Sequence, residues 1–328
     1  MLDLSRRRVL VLGAVAVSGG VTPVRLAFAQ AGEKPVRFIL PVAAASGVDT
    51  ITRAAVPALS KALGSPIVVE NQPGAGGIVG TSALVKSAPD GFTLSVVSNN
   101  HVIYPSVYKS VPFDPVSDIT PIAIMGSTPM VLVVNPTKVA ATTAQELIAL
   151  LKAKPNGYNY ASSGNGTILH LATAMFLDEA GVQAQHVPYK GVGPMLTDLI
   201  GGQVDFATSS LPSLQPYLKS GALRAIGVGA SARVAAAPEI PTFVEQGLPG
   251  LLVEGWFAVV APARLPAADV KRIHAALTAA FATPEVRETM AKQGNTINIS
   301  TPEFAASYFR SELVKYAKLV KKAGVELQ

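Results

Sequence analysis

The chain contains no cysteine, which excludes disulfide staples, a thiolate nucleophile and zinc–thiolate sites. Charge is also scarce: 15% of residues are charged and 49% hydrophobic, which excludes a disordered chain and a strongly basic nucleic-acid binder. The formal net charge is +6, but Arg6, Arg7, Arg8 and Arg25 against Asp3 place +3 of it in the first 29 residues, leaving +3 for the rest. Beyond those residues no run reaches transmembrane length without a proline, glycine or charge, so the mature protein is expected to be soluble. Catalytic signatures are missing too. There is no G-x-S-x-G elbow, no G-x-x-x-x-G-K-[ST] loop, no H-E-x-x-H helix and no complete dinucleotide fingerprint, since Val79 stands where Gly74 and Gly76 call for a third glycine. The four histidines, His101, His170, His186 and His274, are scattered along the chain. No catalytic residue, metal site or cofactor is expected.

The N-terminus carries what the body lacks. Arg6 to Arg8 form a positive stretch, Val9 to Val17 an apolar run too short for the roughly 20 residues of a membrane span, and Ala27-Phe28-Ala29 a small-x-small cleavage site. This reads as an export signal over residues 1–29. Ser5 to Leu10 also resembles a twin-arginine leader, so both export routes stay open.

From Val36 onward strands and helices alternate, the pattern of helices packed on a mostly parallel sheet. Strands are expected at Val36–Pro41, Ile67–Glu70, Thr93–Val97, Met130–Val134, Tyr158–Ser162, Ala184–Val187, Val204–Thr208, Leu223–Val228 and Val253–Val260. The helix at Asp49–Leu63 should kink at Pro57. Thr143 to Glu146 has capping-box spacing, which predicts that the Glu146 carboxylate reaches back to the Thr143 amide. Two helices, Ala267–Ala282 and Pro302–Ala323, are expected to close the chain.

Polar loops follow the strand ends, where open α/β sheets form their ligand crevice. Ser46, Gly47 and Asp49 follow the first strand, and Ser98 and Asn99 the third. Ser163, Gly164, Asn165, Gly166 and Thr167 end one strand and open a helix, so amides and hydroxyls should meet an anion there with the positive helix end behind them. The plainer reading is that Ser163 or Thr167 caps that helix. Tyr189 and Gly191, with Lys190 between them, would add a hydroxyl and a cation, and Lys190 reads equally as a solvated loop lysine. Asp205 sits at a strand start.

Several of these segments together resemble the TctC/Bug family of periplasmic tripartite tricarboxylate receptors. The stretch Val69-Glu70-Asn71-Gln72-Pro73-Gly74-Ala75-Gly76-Gly77 is similar to that family's VENRPGAGG. Tyr160 to Thr167 with His170, and Val187 to Gly191, are similar to YASSGxGTxxH and VPYKG. Gly202 to Phe206, Pro241 to Gly247 and the Trp256 strand ending in Ala261-Pro262 continue the resemblance in order. It implies an α/β, type II periplasmic-binding-protein fold with two lobes joined by two crossing strands. Lobe 1 would be residues 30–130 plus 252–295, and lobe 2 residues 131–251 plus 296–328 with a returning C-terminal helix.

The implied function is periplasmic capture of a small carboxylate-bearing organic anion and its delivery to the integral membrane subunits of a tripartite tricarboxylate-type transporter. The implied contacts include Ser46, Asp49, Ser163, Asn165, Thr167, Tyr189 and Gly191, with His170 orienting the loop. The family's glycine-rich first loop is replaced here by Pro41-Val42-Ala43-Ala44-Ala45-Ser46, in which alanine should disfavour positive φ. No nucleic-acid partner is expected, and the protein should be a monomer. Two other readings share the cleft: a periplasmic sensor serving a signalling receptor, and an enzyme using Asp49 or Asp205 as base.

Overall fold

The computed structural model describes residues 34–325 and 327; the expected export signal lies outside them. The first strand, β1 (Val36–Leu40), is flanked in parallel by β2 (Ile67–Asn71) and β3 (Thr93–Ser98). As expected of a strand covered on both faces, β1 is almost continuously apolar and buried. Helix α1 (Gly47–Leu63) starts at Ser46, whose hydroxyl accepts the Asp49 amide, and ends at Gly64 in a left-handed C-cap with φ 68°. Pro57 lies inside α1 without ending it. Helix α2 (Ile78–Val85) and the short α3 (Asn100–Ile103) complete this part of the chain.

The chain then runs through β4 (Ile119–Val134), a 16-residue strand that changes partner along its length. From Ile119 to Pro129 it pairs antiparallel with β9 (Glu254–Pro262), and from Met130 to Val134 with β7 (Phe206–Ser210). The sequence suggested only its last five residues as strand, because Pro121, Gly126 and Pro129 look like breakers. Register shifts between Pro121 and Ala123 and between Ile124 and Gly126 absorb them. The second part adds α4 (Ala144–Ala153), β5 (Asn159–Ser162), α5 (Ile168–Ala180), β6 (Gln185–Pro188), α6 (Val192–Ile200), α7 (Leu211–Lys219) and β8 (Arg224–Val228). Strands β5, β6 and β7 are parallel to one another, and β8 pairs with β4. At α4 the Thr143 hydroxyl accepts the Glu146 amide at 3.2 Å as expected, but the return half of the box is offset by one residue: Glu146 accepts from the amide and hydroxyl of Thr142, both at 2.7 Å, rather than from the Thr143 amide.

The chain closes with α8 (Ala267–Ala282), α9 (Pro284–Lys292), β10 (Thr296–Ile297) and α10 (Pro302–Lys322), so three helices end it rather than two. One apolar core gathers Phe38, Ile51, Leu94, Phe257 and Ile273 under α1 and α8. Another gathers Leu132, Leu147, Phe176, Phe206 and Ile226 in the second part. Where β3 and β9 meet, Asn99 Oδ1 accepts the Trp256 amide at 2.9 Å and Asn99 Nδ2 donates to the Tyr316 hydroxyl at 2.6 Å. Trp256 Nε1 donates to the buried Glu312 at 2.8 Å, so α10 is bolted to the crossing strands.

Candidate functional site

Loops at the C-terminal ends of β1, β3, β5 and β6, with the glycine turn after β2, enclose a cavity of about 540 Å³. Ser46, Ser163, Gly164, Asn165, Thr167, Tyr189 and Gly191 line it, and Lys190 is its only charged lining residue. A smaller chamber of about 70 Å³ adjoins it, sharing Val42, Ser46, Asn100, Ser163 and Val192. Gly47 and Ser98 line that inner chamber together with Met130, Leu169, Ser209, Ser210 and Trp256, and no charged residue does.

The first loop is tied down from both sides. Ala45 adopts φ 63°, the left-handed conformation that its side chain was expected to disfavour. Its amide donates to Asp49 Oδ2 at 3.1 Å and its carbonyl accepts from Ser213 Oγ at 3.0 Å, which offsets a strain of about 1–2 kcal/mol. Asp49 therefore holds the loop from behind, its other oxygen taken by Arg53 and Asn71, each at 2.9 Å. It lines neither compartment.

The second loop uses most of its own donors. The Gly164 amide bonds Ser162 Oγ, the Gly166 amide His170 Nδ1 at 3.0 Å, the Thr167 amide the Gly164 carbonyl, and the Ile168 amide Asn100 Oδ1 at 2.8 Å. Thr167 is the N-cap of α5, its Oγ1 accepting the His170 amide and donating to the Gly164 carbonyl. The capping reading of Thr167 thus describes its bonds, while the residue also faces the cavity.

Neither His170 nor Gly166 lines either compartment. The His170 ring stacks on His186 at 3.8 Å between centroids, so two histidines far apart in sequence become neighbours. His186 Nε2 lies 2.7 Å from Ser162 Oγ, and burial depresses the pKa of both imidazoles, keeping them neutral supports. The Tyr189 hydroxyl donates to Asp198 at 2.9 Å, and burial with that carboxylate raises its pKa to about 12. Asp205 is remote from the cavity, accepting the Asn159 amide at the opposite end of β5. His274 packs against the Ser300 carbonyl.

Among the donors left over are the Asn165 amide at the larger cavity and several at helix starts. The amides of Gly47 and Val48 in α1, Leu169 in α5 and Val192 in α6 have no acceptor among the described residues, and all four residues line the inner chamber. Three helix N-termini, each equivalent to roughly +0.5 charge, therefore meet there. Sequence reading missed Val192, Asn100, Tyr108 and the cavity-lining role of Gly74 to Gly77. Asn100 directly follows Ser98-Asn99 and was within reach of the strand-end argument.

The two halves touch across this site. A Cβ on Gly47 would stand 2.6 Å from Ser210 Oγ, and one on Gly191 2.6 Å from Ala43 Cβ. With this geometry in hand, the family comparison is decisive: residues 51–325 match the model of the tripartite tricarboxylate transporter family receptor. The chain belongs to that family. Among its relatives, protein BugT of Bordetella pertussis is 33% identical over 297 residues, which is 90% of this chain and 91% of that protein. MatC of Rhodopseudomonas palustris, solved with bound malate, is 28% identical with a TM-score of 0.82, covering 87% of this receptor and 98% of that chain. Rpa4515 of R. palustris, solved with adipate, is 27% identical with a TM-score of 0.86, covering 90% and 98%. The receptor has the fold of the family's periplasmic binding proteins. It belongs to a family of binding proteins rather than enzymes, and the candidate bases Asp49 and Asp205 are both engaged outside the cleft. Among the described residues no helix is long and apolar enough to cross a membrane.

Proposed function

We propose that this receptor captures a small carboxylate-bearing organic anion between two lobes in the periplasm and hands it to the membrane subunits of a tripartite tricarboxylate-type transporter. Lobe 1 comprises residues 30–130 and 252–295, lobe 2 residues 131–251 and 296–328, and the lobes hinge near Met130 and Val253. The observation that carries the reading is the meeting of unpaired amides, Gly47 and Val48 on one side and Leu169 and Val192 on the other, at one chamber without an acidic wall. A carboxylate accepting from both sides would hold the lobes shut. Each charge-assisted bond contributes about 1.5–3 kcal/mol, so four contribute on the order of 6–12 kcal/mol gross before the cost of association. The larger cavity, about 540 Å³, takes the rest of a small ligand. Malate and adipate in related receptors support the carboxylate class.

The test is a thermal-shift screen of mono-, di- and tricarboxylates followed by small-angle scattering with the best ligand. A raised melting temperature with a reduced radius of gyration is expected. A confirmed ligand that leaves the radius unchanged contradicts closure. Transport is separated from sensing by whether uptake of that ligand is lost when the receptor is deleted.

A further inference from the structure

Where α10 packs on the crossing strands, a further cavity of about 320 Å³ opens. None of the loops after β1, β2, β5 or β6 lines it. Met175, Leu252 and Leu319 give it an apolar wall, and Trp256 and Tyr308, edge to face with ring centroids 5.7 Å apart, an aromatic corner. Its two charged residues differ in their commitments. The Lys315 ammonium is 3.0 Å from Glu312 Oε1, while the solvent-exposed Glu254 carboxylate has no ion pair and no hydrogen bond among the described residues. The Tyr308 hydroxyl has no partner among them either. Burial, with Glu312 and Glu254 nearby, raises the Tyr308 pKa, so its hydroxyl stays protonated and the two carboxylates outweigh Lys315 around it.

A carboxylate without a partner, beside two aromatic rings and an apolar wall, suits a cation with an apolar body: the ammonium meets the carboxylate and the ring quadrupoles, and the hydrocarbon leaves water. We propose that this cavity is a second ligand site, for a small primary amine with an apolar body, and that its occupancy is coupled to carboxylate binding in the cleft. Trp256 and Ile168 line both this cavity and the inner chamber, so the two sites share a wall. Ser127 and Trp256 come from one lobe and Met175 and Gly229 from the other, so a hinge near Met130 and Val253 would reshape the cavity as the cleft opens. An amine that fits the cavity seen with the halves in contact therefore favours the closed arrangement, and by linkage each ligand tightens the other. The coupling rests on the carboxylate-capture reading; the amine site does not.

The experiment follows the fluorescence of the single tryptophan, Trp256, while the receptor is titrated with 2-phenylethylamine, with and without a saturating amount of the best carboxylate from the thermal-shift panel. The uncharged control is 2-phenylethanol. A saturable change is expected, with the amine about twofold to fivefold tighter than the alcohol, the worth of a solvated charge pair, and with that advantage lost in Glu254→Gln. Saturating carboxylate should tighten the amine about fivefold or more. No saturable response, or the same advantage over the alcohol in Glu254→Gln as in the parent, overturns the site and leaves carboxylate capture intact. Displacement of the amine by the carboxylate assigns it to the cleft and overturns the proposal, and an amine affinity that carboxylate leaves unchanged overturns the coupling. If no carboxylate of the panel binds, the capture reading and the coupling fail together, and the comparison of amine, alcohol and Glu254→Gln still decides the site.

Discussion

Gly47→Ala separates closure from folding. Gly47 is the first residue of α1 and lacks a positive φ, so alanine suits its backbone and, as the better helix former, should not lower stability. In the closed arrangement, however, the new methyl would lie 2.6 Å from Ser210 Oγ and 3.1 Å from Ser210 Cβ, well inside ordinary contact. Ser210 cannot swing away freely, because its hydroxyl is 2.9 Å from that of Ser213, which in turn holds the Ala45 carbonyl. Overpacking of this kind costs about 1–3 kcal/mol. If the halves part when the cleft empties, the cost falls on the liganded state alone, and affinity should drop by roughly fivefold to a hundredfold. Calorimetry with the best carboxylate, alongside a melting curve of the unliganded variant, reads both quantities. Lost affinity with an unchanged unliganded melting temperature is the expected result. Unchanged affinity, or a fall in unliganded stability as large as the fall in binding, would refute the reasoning.

Other consequences are equally open to measurement. Thr167→Ala removes the α5 cap and should lower stability by about 1 kcal/mol while leaving affinity within about threefold, read by urea unfolding and calorimetry. Ala45→Gly relieves a left-handed alanine but loosens the unfolded chain, so the net gain should be up to about 1 kcal/mol; a lowered melting temperature would contradict the strain argument. Burial holds the His101 pKa near 4 against 6.5 for an ordinary imidazole. The unfolded chain therefore takes the proton first, and stability that is complete above pH 6.5 should decline by up to about 3 kcal/mol as the pH falls toward 4. In His101→Leu, urea midpoints at pH 7 and pH 4.5 should lie closer together than in the parent. Glu312→Ala leaves the Trp256 indole N–H unpaired in a buried site and should cost about 1–3 kcal/mol, with a red shift of the single tryptophan's fluorescence.

Much of the fold was legible because its signals are local. The apolar runs of β1, β3 and β7 and the capped starts of α1 and α4 are written within a few residues each, and the alternation of strands and helices fixes the α/β class. The first eleven residues of β4 were hidden because their pairing with β9 spans more than a hundred residues, and only that pairing makes Pro121 and Gly126 tolerable in a strand. The site was legible as a set of strand-end loops, but not in its wiring. Nothing local says that Asn100 takes the Ile168 amide or that His170 takes the Gly166 amide, and those two bonds direct attention from the loop amides to the helix-start amides. The Ala45 backbone shows the same limit: propensity argued against positive φ, and two tertiary hydrogen bonds to Asp49 and Ser213 prevailed.

The central claim is that a ligand carboxylate is held by the amides of Gly47, Val48, Leu169 and Val192 from both sides of the cleft. It is tested most directly by an amide nitrogen–proton correlation spectrum of the receptor titrated with the tightest-binding carboxylate of the panel. The account predicts that these four amide protons move downfield together, with one midpoint equal to the calorimetric Kd. Saturation of binding with all four resonances unmoved would contradict it.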